Sequence, residues 1–317
     1  MLAQKLLSSL SGAEEPLYVD DVFSAYTYTG NGSTQTINNG IDLAGSGGLL
    51  WLKSRDSATD FNHGLFDTAR GAGKRLVPNS TFGEGAGYGQ TFSSTGFSVT
   101  DGTTHNQSSI KYIAWTFRKA PKFFDVVTWT GNGDTGRQIA HSLGIVPGMI
   151  ICKCTSTTSN WKVGVAGKNL ALNTTEAHQV GGTVSGGYMH TENASATQFY
   201  LNPWGGSVSE VNASGQTYVA YLFAHDTSAD GIIQCGSFTT DGSGNATVNL
   251  GWEPQYLLQK SSSAAGHWIV QDSMRGLTVG TSDAFLYPNL SSAEGTNNYI
   301  TPTATGFTVA NMSASET

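Results

Sequence analysis

The sequence predicts an all-β chain of tandem β-sandwich (jelly-roll-like) modules with a short N-terminal helix. Three observations carry that fold class. A unit of roughly 100 residues recurs along the chain. Its apolar runs have strand length and are bounded by Gly, Asn and Ser turns. The composition is that of short strands: glycine is 40 of 317 residues and charged residues are 12%, about half the usual share. Hydroxyls and amides therefore make the surface polar. The 10% aromatic content supplies core formers that a disordered chain lacks.

The repeat is legible in three places. The first copy has Gly30-Asn31-Gly32, the run Leu49-Leu50-Trp51-Leu52-Lys53, and Asn106-Gln107-Ser108 before Tyr112-Ile113-Ala114-Trp115-Thr116-Phe117. The second answers with Gly131-Asn132-Gly133, Met149-Ile150-Ile151-Cys152-Lys153, and Asn212-Ala213-Ser214 before Tyr218-Val219-Ala220-Tyr221-Leu222-Phe223. The third repeats His63, Asp67, Arg70 and Gly71 as His267, Asp272, Arg275 and Gly276, and Pro78-Asn79 with Glu84 as Pro288-Asn289 with Glu294. The predicted organisation is residues 1–22 as anchor helix and lead-in, then modules at 23–122, 123–226 and 227–317. A module of this size can bury its own core, so the modules are expected to be bead-like. The third lacks a counterpart of residues 112–117. A sandwich without a central strand exposes an edge and its core. The expectation is that the polypeptide continues past Thr317 or that another chain donates the strand.

Taken in order, Leu2, Leu6, Leu7 and Leu10 fall on one side of a short helix ended by Gly12. A helix of about ten residues is marginal alone. It reads as an anchor that docks on another protein or bundles with its own copies, the alternative being a terminus packed on the first module. Residues 17–19 read as an extended lead-in. Tyr26 and Tyr28 alternate with threonines as in a half-buried strand, and Asn31-Gly32 is a hairpin signal. Residues 49–53 suit a strand covered on both faces. Residues 65–67 and 75–77 are weaker strands, and residues 92–99 read as one strand with a bulge or bend at Gly96. Residues 112–117 are the strongest strand. Pro121 stiffens the joint at 118–122.

Net charge is −7 and there is no basic stripe, which argues against nucleic acid. No apolar run reaches the length that inserts in a membrane, and residues 1–10 make a poor signal peptide. Cys152, Cys154 and Cys235 form no disulfide framework and lack neighbours at metal-ligand spacing. No cofactor motif is complete. The loop opening at Asp241 starts like a calcium site, but Ala246 replaces its glycine and Trp252 its bidentate Glu. Asp67 with Arg70, and Asp272 with Arg275, read as structural ion pairs pinning a long loop. Sugar contact or glycoside hydrolysis by these carboxylates is the competing reading. Trp204, in a Pro-Trp-Gly-Gly turn, is a candidate sugar contact.

Along Ala114-Trp115-Thr116-Phe117-Arg118-Lys119-Ala120-Pro121-Lys122-Phe123-Phe124, and onward through Gly131-Asn132-Gly133 to Pro147-Gly148-Met149, the chain resembles tail-fibre-type virion proteins of tailed bacteriophages, particularly marine short-tailed phages. The resemblance covers the leader and first two modules well and the third loosely. It implies a non-enzymatic virion component, made in the bacterial host cytoplasm and located in the tail. It further implies a homotrimer that docks on a tail adaptor or nozzle protein and spaces or displays a receptor-binding tip. Tandem carbohydrate-binding modules for host surface glycan, and a tailspike-like depolymerase, are the alternatives.

Overall fold

The computed structural model describes residues 16–56, 61–100, 102, 104–179, 189–191, 193–201, 207–280 and 282–313. The leucines of the proposed anchor and Trp204 lie outside them. The architecture is mostly β, built from several small antiparallel sheets in sandwich-like units. Among the described residues no helix is long and apolar enough to cross a membrane.

In the first unit, β1 (Phe23–Thr29), β7 (Lys111–Arg118), β3 (Gly48–Ser54) and β4 (Gly64–Asp67) form one sheet in that order. β2 (Gln35–Asn38), β6 (Gly96–Val99) and β5 (Thr91–Ser93) form the other. The second unit repeats the plan. β12 (Lys168–Ala171), β11 (Lys162–Val165), β10 (Pro147–Cys154), β15 (Thr217–Ala224) and β8 (Phe124–Thr130) make the larger sheet. β13 (Met189–His190), β14 (Gln198–Leu201) and β9 (Arg137–Ala140) make the smaller. The long strands β7 and β15 are central and paired on both edges over nearly their whole length.

The third unit keeps the smaller sheet, β16 (Ala246–Asn249), β22 (Gly306–Val309) and β21 (Ile300–Thr303). Of the larger sheet, β17 (Tyr256–Gln259) and β18 (Ile269–Asp272) alone are paired among the described residues, matching β3 and β4. A short hairpin, β19 (Asp283–Phe285) with β20 (Gly295–Asn297), follows. Residues 232–240, which precede β16 in the chain as β1 precedes β2 and β8 precedes β9, belong to no strand.

The two faces of each larger sheet go to different cores. Leu50, Leu52, Tyr112 and Ala114 pack inward on Ile37, Phe97 and Val99 of their own smaller sheet. Ile150, Cys152, Tyr218 and Ala220 do the same with Ile139 and Phe199. The alternate residues, Leu49, Trp51, Trp115 and Phe117, join Ile151, Trp161, Tyr221, Phe223, Trp268 and Val270 in one hub shared by all three units. This corrects the bead-like expectation. Period-two alternation hides such a hub, because both faces of β3 and β7 are apolar and the run reads as continuous.

Three local expectations also change. Residues 92–99 are not one strand. β5 and β6 pair as a tight hairpin through Ser94 and Thr95, with Ser93 opposite Gly96. Gly96 sits at φ 150°, where a Cβ would come 2.1 Å from the Ile37 carbonyl. Residues 75–77 make only isolated bridges, Leu76 to Leu65 and Arg75 to Gly85. The lead-in includes a single helical turn, α1 (Val19–Val22), whose Val22 is buried in the hub.

Candidate functional site

Strand register makes Lys53, Lys153 and Lys260 equivalent, each lying just past or at the end of the run that feeds the hub. Each ammonium reaches into a neighbouring unit. Lys53 Nζ donates to Ser54 O at 2.9 Å, Ser54 Oγ at 3.2 Å and Ser291 O of the third unit at 3.0 Å. Lys153 Nζ donates to Ser159 O at 2.8 Å, Ser159 Oγ at 2.9 Å and Thr81 O of the first unit at 3.0 Å. Lys260 Nζ donates to Gly266 O at 2.5 Å and Thr175 O of the second unit at 3.0 Å. Lys53 and Lys153 are fully buried. A buried ammonium is tolerable only when its protons are used, and carbonyls of two units use them. Burial still pushes Lys153 and Lys260 down to about 8.

A second equivalent position, His63, Trp161 and Trp268, makes the same crossing; the register thus corrects the expected match of His63 with His267, since His267 lies one residue before the equivalent position. Trp161 Nε1 donates to Val77 O at 3.0 Å and Trp268 Nε1 to Ala171 O at 2.8 Å. His63 Nδ1 accepts from Trp51 Nε1 at 2.9 Å. Its proton therefore sits on Nε2, 3.0 Å from Tyr287 O. Burial, and then the Lys53 ammonium, hold this imidazole well below its ordinary pKa. The backbone N–H of each of the three is fixed by an asparagine: Asn79 at 3.2 Å, Asn173 at 2.9 Å and Asn289 at 3.1 Å. The crossings all run one way, first unit to third, third to second and second to first, and so close a ring.

The acidic and basic residues of the repeated loop lie in the same interfaces. Asp67 Oδ1 accepts from Arg70 N at 2.8 Å, and Oδ2 from Arg70 Nε at 2.5 Å and from Tyr221 Oη of the second unit at 2.8 Å. Asp272 repeats this with Arg275 N at 3.0 Å, Arg275 Nε at 2.7 Å and Trp115 Nε1 of the first unit at 2.9 Å. Arg70 and Arg275 also hold Glu84 at 3.0 Å and Glu294 at 3.1 Å. Glu294 is clamped in addition by Arg55 at 2.8 Å. Trp51 and Trp115 meet edge to face in the hub, their ring centroids 5.6 Å apart. Cys152 and Cys154 pack in the second unit's own core. The Asp241 carboxylate is engaged by Ser243 N and Asn245 N in a turn.

The lysines and the indole crossings were not anticipated. The usable signal was a lysine closing the same run in all three copies, after Leu49–Leu52, Met149–Cys152 and Tyr256–Gln259. Asn173 lacks the Pro that marks Asn79 and Asn289, so its equivalence was hidden.

Beside the ring the described residues leave a gap at the third unit. A cleft of about 930 Å³ lies between residues 232–240 and β17. Ile232, Phe238, Tyr256 and Leu258 line it, and Phe117 and Phe223 reach it from the hub. All four residues of β17 are only partly buried, whereas every residue of β3 is buried.

Residues 19–317 match the model of a domain of unknown function, DUF7483. The chain belongs to the DUF7483 family. No curated protein and no solved structure matches it.

Proposed function

We propose that the chain is a non-enzymatic structural component of a phage tail fibre or spike. It attaches to the tail through its N-terminal part and spaces or displays a receptor-binding tip. The observation that carries this reading is the ring of repeated crossings. Buried lysines, indoles and carboxylates of one unit are spent on backbone and side chains of the next. Such polar groups hold three jelly-roll-like copies at fixed angles and leave little freedom at the joints, as a load-transmitting spacer requires. The similarity to tail-fibre-type proteins along residues 114–153 points the same way, as does a hub that receives Leu17 and Val22 directly after the leader. Gold-labelled antibody against residues 23–226, imaged on purified particles, tests it. Label at the tail periphery is expected. Particles that carry no label while a known tail protein is labelled in parallel would overturn the proposal. A chain lacking residues 1–15, which leaves Leu17 and Val22 in the hub, should fold and fail to join particles, and incorporation at the normal level would remove the anchor from it.

A further inference from the structure

The cleft beside β17 has the shape of a missing strand, and its sister sites say which. In the first unit the space between β1 and β3 holds β7, and in the second the space between β8 and β10 holds β15. Both occupants carry Tyr, a β-branched residue, Ala, an aromatic, one variable residue and Phe, in that order. Their registers agree. Leu49 faces Phe117 and Met149 faces Phe223, Trp51 faces Trp115 and Ile151 faces Tyr221, Lys53 faces Ile113 and Lys153 faces Val219. In the third unit the corresponding residues, Tyr256, Leu258 and Lys260, line the cleft.

We infer that this cleft is a receptor for one extended polypeptide segment of the β7 and β15 class, added antiparallel to the edge of β17 that pairs with no strand among the described residues. Strand addition of this kind draws affinity from main-chain bonds and selectivity from alternate side-chain pockets. The register also fixes one point of selectivity. The aromatic at the fourth position of this pattern bonds Asp272 when it is Trp115 and Asp67 when it is Tyr221. The residue equivalent to those carboxylates in the second unit is Val165, opposite Met149, and Val165 lines the cleft. The bound segment therefore carries Phe or an aliphatic residue there. A Trp or Tyr would bury a donor against a methyl surface.

The test titrates the 317-residue chain with synthetic octapeptides and locates binding by hydrogen exchange. One peptide has the β7 sequence Lys-Tyr-Ile-Ala-Trp-Thr-Phe-Arg, a second has Phe in place of Trp, and a third is scrambled. One-to-one binding is expected, with protection appearing at residues 232–240 and 256–259. The Phe peptide should bind about tenfold tighter than the Trp peptide, since the latter leaves a buried N–H unbonded. The scrambled peptide should bind about a hundredfold more weakly, having lost its placed aromatics. Leu258→Glu should abolish binding while the far-ultraviolet circular dichroism is unchanged. Equal binding of the scrambled peptide, no binding of any, or protection elsewhere overturns the inference. So does a concentration-dependent dimer that protects the same residues without peptide, which would make a second copy the occupant.

Discussion

Asp272 is the residue whose removal the ring should feel most. Its carboxylate accepts from Arg275 N, Arg275 Nε and Trp115 Nε1, all within 3.0 Å. The Arg275 and Asp272 side chains are both 0% exposed, so water cannot replace the acceptor in Asp272→Ala. Deleting one partner of such a pair costs about 3–5 kcal/mol, and the orphaned indole adds about 1 kcal/mol. Glu294 stays 3.1 Å from Arg275 and is 16% exposed, which keeps part of the charge compensated. A loss of about 4 kcal/mol follows from these terms. In a cooperative chain of this length it lowers Tm by about 6 °C. Urea unfolding followed by tryptophan fluorescence and calorimetry measures both. The double variant Asp272→Leu, Arg275→Met should recover at least half, because no unpaired charge stays buried. A single-variant loss under about 1 kcal/mol, or a double variant as weak as the single, refutes the argument that this pair holds the interface.

Other consequences are open to the same measurements. Burial holds Lys153 near 8 against 10.5 for a free lysine, so above pH 8 the unfolded chain binds more protons than the folded one and stability rises with pH. The rise from Lys153 is about 2 kcal/mol between about pH 7.5 and 9.5. Lys153→Met should remove it, and an unchanged slope would count against the buried ammonium. Above about pH 10 the trend should reverse, since burial raises Tyr28 and Tyr221 and the unfolded chain then loses protons first. Asn173→Ala should cost about 1–3 kcal/mol by leaving Trp161 N unbonded, as much as Asn79→Ala or Asn289→Ala, and a neutral result at Asn173 alone would break the equivalence. Gly306→Ala should destabilise strongly, its φ being 156° with a Cβ 2.0 Å from Val248 O; thermal unfolding unchanged within a degree or so would show that the hairpin relaxes.

Much of the fold was legible, and the reason is local. Residues 112–117 read as a strong strand because β-branched and aromatic residues fit a covered pleat. The hairpin expected at Asn31-Gly32 does not form: β1 pairs with β7 and β2 with β6, so residues 30–34 carry the chain from one sheet to the other. Asp67-x-x-Arg70 stood out because it recurs as Asp272-x-x-Arg275. What Trp51, Trp161 and Trp268 pack against was not legible. An apolar residue records that it is covered and not by which unit, so the hub shows only in the folded chain. Residues 92–99 misled because Ser94-Thr95 carries no glycine, the residue that usually announces so tight a hairpin.

The one-way crossings carry a consequence for counting. An interface in which the donor face of one copy meets a different, acceptor face of the next either propagates as a filament or returns to its start. Here it returns after three copies. Lys53, Lys153 and Lys260 have each already found their acceptor. A fourth copy inserted in tandem would find neither face vacant, so it would have to stand outside the ring as an appendage. Duplication can thus lengthen a protein of this design only by stacking ring on ring or by hanging new parts on the rim. A lone copy excised from it would present both faces and would tend to rebuild the same circle from three separate chains.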